Sequence, residues 1–218
     1  MKKVLVVTFL AGMLLTVAQP VLAGMNPYAN FALDMQARVV KRACPISYSS
    51  CSVINQVRTN PPPADAIVVV YRYQGITLAQ FGLEWDAYQL AWVTFKKCTA
   101  TAVEAGDPLY GSYAFAGAWE TCQMAVSPYP GDSGIAVGWA QINLYGTAVG
   151  SSAVDFIGTI PGFALGTGDC NYQWDDIHTV HAGFIGGMQP RPSDLAPCLM
   201  GPTATEATTW SGVKALYR

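Results

Sequence analysis

Ile67-Val-Val-Val-Tyr-Arg-Tyr73, Ile76-Thr-Leu-Ala-Gln-Phe-Gly-Leu-Glu-Trp85 and Leu90-Ala-Trp-Val-Thr-Phe95 follow one another with only Gln-Gly and Asp86-Ala-Tyr-Gln between them, and the last runs into Cys98. Each run is short, rich in β-branched and aromatic residues, and closed by Gly, Asp or a polar pair. That pattern predicts strands. In the second run Ala79, Phe81, Leu83 and Trp85 fall on one face, and Gln80, Gly82 and Glu84 on the other. A strand with one apolar face must lay it against a second sheet. The fold expected is therefore an all-β antiparallel sandwich.

The remaining chain supplies further strands. Phe31, Leu33, Met35, Ala37 and Val39 fall on one face and Asp34, Gln36 and Arg38 on the other, which predicts a strand, though Leu33, Ala37 and Val40 would also fit a short helix. Ala118–Val126, Ile135–Tyr145, Ala153–Ile157 and Phe163–Leu165 also read as strands. The third run carries Ile135, Val137 and Trp139 on one face and then Ile142 and Leu144, so a bulge is expected near Gln141. Thr99–Gly117 reads as a Gly-, Ala- and Tyr-rich connection with a turn at Asp107-Pro108. The total expected is eight or nine strands, spaced as in sandwiches.

The first 23 residues read as a secretion signal. Met1-Lys-Lys3 is the positive region, Val4–Val17 the apolar one, and Val21-Leu-Ala23 puts aliphatic and small residues before a cleavage point after Ala23. An apolar run of about 14 falls short of the roughly 20 residues that span a bilayer. One domain over 24–201 and a linker with a C-terminal tail over 202–218 would follow. After cleavage, 10 basic residues face 14 acidic ones, a net charge of 10 − 14 = −4, which argues against a nucleic-acid partner. Charged residues are only 12% of the chain, against about a quarter in soluble domains, which suits a surface that packs against something.

All six cysteines, Cys44, Cys51, Cys98, Cys122, Cys170 and Cys198, follow the signal, and an even number in an oxidising compartment implies disulfides. Six cysteines allow 15 pairings. Pairing of neighbours is expected: Cys44–Cys51, Cys98–Cys122 and Cys170–Cys198. No C-x-x-C spacing points to zinc or redox chemistry.

Three segments, Gly75–Trp85, Phe95-Lys-Lys-Cys98 and Thr209–Arg218, resemble those of a group of uncharacterised secreted, cysteine-bearing proteins of uncultivated bacteria. The order of strands over Phe31–Tyr145 is also similar to that of cohesin-type and carbohydrate-binding β-sandwiches. That resemblance implies an architecture; activity does not transfer with a fold.

Candidate chemistry is sparse. Asp169, Asn171, Asp175 and Asp176 gather hard oxygen donors that calcium would accept, though without the spacing of a calcium loop. His178 and His181 would share a helix face and, with Asp175 or Asp176, could hold zinc; the plainer reading is a pair of exposed loop histidines. Glu84, Asp86 and Glu120 are the carboxylates that a glycosidase pair would draw on, each with an ordinary structural reading beside it. No G-x-S-x-G elbow or H-E-x-x-H motif is present.

Of the aromatics, Trp85, Trp92 and Trp139 are expected in the core, and Tyr110, Tyr113, Trp119 and Trp174 at the surface as ligand-binding faces. Trp210, Val213, Leu216 and Tyr217 would share one side of a short C-terminal helix and form a partner-binding tail. The function these features favour is a secreted, non-enzymatic β-sandwich with a structural, adhesive or assembly role, its partner a protein. The alternative is a carbohydrate-binding module on extracellular polysaccharide.

Overall fold

The computed structural model describes residues 24–58, 63–125, 133–145, 152–157 and 164–186. It is all-β, as expected. Eight strands of five residues or more carry the fold: β1 (Asn30–Ala37), β4 (Ala64–Tyr71), β5 (Gly75–Trp85), β6 (Leu90–Lys97), β7 (Thr101–Ala105), β8 (Ser112–Met124), β9 (Gly134–Leu144) and β10 (Ser152–Ile157). Six shorter ones complete the two sheets: β2 (Ser47–Tyr48), β3 (Val57–Arg58), β11 (Gly166–Gly168), β12 (Trp174–Asp176), β13 (Val180–His181) and β14 (Gly183–Ile185). The six-stranded sheet runs β13-β1-β4-β9, with β2 and β6 both pairing to β9. In the eight-stranded sheet β5 is central, with β8 and then β7 on one side, β10 and β11 on the other. Strands β4 and β5 lie in different sheets. Arg72, at φ 59°, makes the sharp crossing between them in a left-handed conformation uncommon for a residue with a side chain.

The expected alternation in β5 holds. Ala79, Phe81, Leu83 and Trp85 enter the main core, where Phe81 stacks on Phe115 at 5.2 Å and meets Phe31 edge-on at 5.6 Å. Trp85 and Trp92 stack at 4.5 Å in the same core. Burying this aromatic set is the chief apolar gain of folding.

Strand β4 is buried at every position. Ala66, Val68 and Val70 face the main core, while Ile67, Val69 and Tyr71 face a second apolar cluster on the outer side of the six-stranded sheet. That cluster is closed by Tyr48, Cys51 and Ile54, carried on the segment between β1 and β3. Asp34, on the polar face of β1, is buried there. Its carboxylate accepts from Tyr48 Oη at 2.8 Å, the Asn55 backbone N–H at 2.8 Å and Gln36 Nε2 at 2.8 Å. Three donors on one carboxylate satisfy its burial, and two of them, from Tyr48 and Asn55, fix the cover over the sheet.

Several expectations are corrected. The face change in β9 lies at Val137–Gly138, while the irregularity opposite Gln141 is on β6, where Val93 is the extra residue between Trp92 and Thr94. Val68 pairs with Gly138 and Val69 with Ala136, so Val137 is the extra residue. Trp139 therefore turns into the outer cluster and away from Phe81, while Val137 stays in the main core. Thr99–Gly117 holds β7 and half of β8 in place of a loop. The Asp107-Pro108 turn is there, capped by Asp107 Oδ1 accepting from the Leu109 N–H at 3.0 Å. Leu165 is not in a strand, which begins at Gly166, and Phe163 lies outside the described residues.

The disulfides are not between sequence neighbours. Cys44 joins Cys98, with Cα atoms 5.4 Å apart, and Cys122 joins Cys170, at 5.3 Å. Cys51 is also disulfide-bonded, and Cys198 lies outside the described residues. Sheet topology explains the first pairing: Cys98 N–H donates to Val137 O next to the β2 edge of β9, which brings it to the segment that carries Cys44. The bonds close loops of 54 and 48 residues, each stabilising by about 4 kcal/mol in the chain-entropy model. Non-reducing peptide mapping should recover Cys44–Cys98 and Cys122–Cys170, leaving Cys51 and Cys198 for a third linked peptide. Recovery of Cys44–Cys51 or Cys98–Cys122 would contradict this layout.

Burial pushes the Tyr73 hydroxyl up to about 12 and raises Tyr48, Tyr71 and Tyr113 as well, the Asp34 charge adding to burial at Tyr48 and the Glu104 charge at Tyr113. A folded pKa above the unfolded value of about 10 gives stability that is present below pH ~10 and lost as pH rises through the folded values. In an alkaline titration followed at 295 nm, these four of the eleven tyrosines should ionise only as the near-ultraviolet dichroism collapses. Ionisation of all eleven with tertiary dichroism intact would show them to be accessible.

Candidate functional site

The two sheets differ on their outer sides. The outer side of the six-stranded sheet is sealed by the second cluster. The eight-stranded sheet has no such apolar cluster among the described residues, and its registers fix what it presents. Phe81 pairs with Phe115, both inward, so the outward positions are those between. They are Thr101, Val103 and Ala105 on β7, Ala118, Ala116, Ala114 and Ser112 on β8, and Leu78, Gln80, Gly82 and Glu84 on β5. Gly166 and Gly168 of β11 and Ile157 and Asp155 of β10 continue the rows. Val103 is 65% exposed, and Leu78, Gln80, Ala116, Ala118 and Ile157 are half-buried. Ala114, Gly82, Gly166 and Gly168 are buried within these rows, with the Trp174 ring against Gly166, and the face is small-residue and uncharged through its middle, with Glu84 and Asp155 at one end.

At that end lies an open cleft of about 540 Å³. The β5–β6 turn, the β7–β8 turn and the start of β10 form it, with Glu84, Asp86, Gln89, Tyr110, Ser112, Ser152 and Asp155 in its lining. Glu84 and Asp155 are cross-strand partners, a like-charge pairing that costs stability unless something compensates it. Asp86 Oδ1 accepts the Tyr88 N–H at 2.9 Å and so shapes the turn. Gly111, at φ 78°, closes the floor by accepting the Trp85 N–H on its carbonyl at 2.9 Å.

The structure brings together Glu84, Asp86 and Tyr110 from the expected set. It adds Asp155, Gln89 and Ser112, which the sequence reading did not single out. Glu120 is exposed on β8, eight residues along from Ser112 and away from the cleft. Tyr110 is 83% exposed and Trp174 40% exposed, as expected. Tyr113 is not: it points inward opposite Leu83 and packs on Phe95 at 5.1 Å. Trp119 is partly buried against the main core. The four do not form one platform, since Tyr110 sits at the cleft, Trp174 on edge strand β12, and Tyr113 inside.

The acidic group is committed to structure. Asp169 is fully buried and accepts from the N–H groups of Met25, Asn171 and Gln173 at 3.0, 2.7 and 2.8 Å. Asp175 is buried and accepts the Asn26 N–H at 2.9 Å. Asp176 accepts from Trp174 Nε1 at 2.6 Å, and Asn171 is exposed. His178 and His181 do not share a helix face: His178 is exposed in a loop and His181 is buried in β13. Among the described residues no group of three or more His, Cys, Asp or Glu is arranged to hold a metal, and no helix is long and apolar enough to cross a membrane. Trp210, Val213, Leu216 and Tyr217 lie outside the described residues.

No family model and no curated protein matches the chain. Among solved structures it is distantly similar to cohesin modules. A type II cohesin domain from the cellulosome of Acetivibrio cellulolyticus aligns at a TM-score of 0.47 and 13% identity, over 73% of this chain and 95% of that one. A cohesin of scaffoldin B from the same organism, in complex with a dockerin, aligns at 0.44 and 13%, over 72% and 98%. A cohesin module from a Clostridium perfringens family 33 glycoside hydrolase aligns at 0.43 and 8%, over 65% and 95%.

The cleft depends on Gly111. A β-carbon there would collide with the Trp85 carbonyl oxygen and lie 3.3 Å from the Ala87 nitrogen, in a conformation that side chains avoid. Gly111→Ala should destabilise the fold by about 1–3 kcal/mol in chemical denaturation. A change below about 0.5 kcal/mol would mean the turn is not built this way.

Proposed function

We propose that this chain is a secreted, non-enzymatic module that docks a protein partner on the open face of its eight-stranded sheet. One observation carries the reading: among the described residues an apolar cluster covers the outer side of one sheet, while the other carries small and aliphatic side chains in register, Val103 exposed and Leu78, Ala116, Ala118 and Ile157 half-buried. Small side chains let a partner backbone or flat surface approach closely, and apolar area gained there drives association. Extracellular placement is supported by the disulfides, which persist in oxidising compartments. An assembly or adhesive role fits this surface better than catalysis, because the carboxylates of the cleft lie open to solvent on a wide, shallow rim.

A second reading has its own observation. Tyr110 stands 83% exposed beside Glu84, Asp86, Gln89 and Ser112, an aromatic face with polar acceptors around it, which suits a sugar ring. The two readings place the ligand on different residues, so substitutions separate them.

Ala116→Arg puts a long cation in the middle of the open face at a half-buried position, where the fold should tolerate it within about 0.5 kcal/mol. Mature protein would be cross-linked in the culture fluid of its own producing cells, and its retention on insoluble polysaccharide measured in parallel. Docking on the sheet predicts one protein adduct that Ala116→Arg abolishes and Tyr110→Ala leaves. Adducts indifferent to Ala116→Arg would contradict it, and polysaccharide retention abolished by Tyr110→Ala would establish the sugar reading in its place.

A further inference from the structure

Residues 24–26 are threaded into the fold at the end opposite the cleft. Met25 N–H donates to Asp169 Oδ2 at 3.0 Å and Asn26 N–H to Asp175 Oδ2 at 2.9 Å. The Asn26 side chain donates to Gly75 O at 2.7 Å and accepts the Gln74 N–H at 2.9 Å, which locks the segment to the start of β5. Gly24 itself is buried against Asp175: a β-carbon on it would lie 2.5 Å from Asp175 Cγ and 2.7 Å from Oδ1. Asp169 is 0% exposed and Asp175 7%.

One buried carboxylate, Asp175, thus lies against Gly24, and the donor found on it is the neutral Asn26 N–H, whereas Asp169, reached by Met25 N–H, is satisfied by three donors. Among the described residues the ion pair found is Arg42–Asp65, and neither Asp169 nor Asp175 has a Lys, Arg or His partner. With a single neutral donor found on it, Asp175 is the carboxylate left short, and a buried charge with neither a full set of donors nor a counter-charge costs several kcal/mol. The sequence places the missing cation at this glycine, because Val21-Leu-Ala23 directs cleavage to the Ala23–Gly24 bond.

We propose that removal of the signal creates the counter-charge: the freed α-ammonium of Gly24 pairs with Asp175 and completes the fold of the mature protein. An export peptidase adds water across the Ala23–Gly24 amide, leaving a carboxylate on Ala23 and an amine on Gly24. An α-amine of ordinary pKa, about 7.7–8.0, takes up a proton at neutral pH. Before cleavage residue 24 carries only a neutral amide N–H, so the pair is absent from the precursor. Glycine is required at this position because any side chain would displace the Asp175 carboxylate. The inference rests on the secretion reading and is independent of where a partner docks.

The test uses secreted protein and two forms of the mature chain released from a cleavable oxidatively folded fusion, one beginning at Gly24 and one retaining Ala23. Intact mass of the secreted protein should place its N-terminus at Gly24; a start elsewhere overturns the proposal. The Gly24 form should melt at least about 5 °C above the Ala23-extended form, a shift that a partly buried ion pair would give in a chain this size. In an Asp175→Asn background, where the amide oxygen still accepts the Asn26 N–H, the two forms should melt within about 1 °C. Equal melting in the wild type, or a difference that persists in Asp175→Asn as a purely steric effect would, overturns it. Should Asp175→Asn fail to fold, the Gly24 amine is titrated in wild-type protein by the 13Cα shift of labelled glycine. A pKa above about 8 is expected, and an unshifted or lowered one contradicts the pair.

Discussion

Strand β4 is apolar on both faces, and the rest of the architecture answers that constraint. One face, Ala66, Val68 and Val70, is met by the second sheet through Phe81, Leu83 and their neighbours. The other face, Ile67, Val69 and Tyr71, would lie in water unless the chain covered it. The cover is a short irregular segment with little secondary structure of its own, so it has to be tied down. Asp34 does this from within the sheet, by hydrogen bonds from Tyr48 and Asn55, and the Cys44–Cys98 bond does it at the edge. Breaking either tie exposes a strip of aliphatic surface and leaves a buried carboxylate or tyrosine unsatisfied.

The asymmetry that results is what gives the molecule a side to work with. Among the described residues the broad uncovered face is that of the eight-stranded sheet. There the outward residues of β7, β8 and β5 are small and uncharged, and charge appears at the ends, in the Glu84–Asp155 pair and at Asp176. Small residues on an outer sheet face contribute little to the core of their own fold. They leave room for the close approach that the proposed docking requires. The low overall charge of the chain points the same way, since surfaces that remain solvated throughout are usually more highly charged.

Much of the sandwich was legible because β5 has a clean period of two: polar Gln80 and Glu84 mark one face against Phe81, Leu83 and Trp85. Legibility failed where that contrast disappears. Strand β8 alternates too, but as Ala114-Phe115-Ala116-Gly117-Ala118, small against large, with no polar marker, so it read as a connection. The bulge in β9 sits on Val137–Gly138, where a glycine shows no preference for either face. Asp34 was placed on the right side of its strand, yet alternation says nothing of what covers that side. The cysteine pairs follow from which strands lie next to one another, a long-range property no spacing encodes. Asp169 and Asp175 announced oxygen donors, but the groups they hold, Met25 and Asn26, lie more than 140 residues earlier. Trp210, Val213, Leu216 and Tyr217 lie outside the described residues, and their role as a tail for a partner stands as a proposal from sequence.

The sealed and open flanks both carry alanines, which allows a single comparison. Ala32 and Ala136 are fully buried in the second cluster, whereas Ala105, Ala116 and Ala118 stand on the open sheet. In protein labelled at alanine methyls, a soluble paramagnetic chelate should broaden the Ala105, Ala116 and Ala118 signals strongly and leave Ala32 and Ala136 sharp. Equal broadening of Ala32 and Ala136 would show the cover to be loose, and protection of Ala116 and Ala118 would show the proposed docking face to be already occupied by the chain itself.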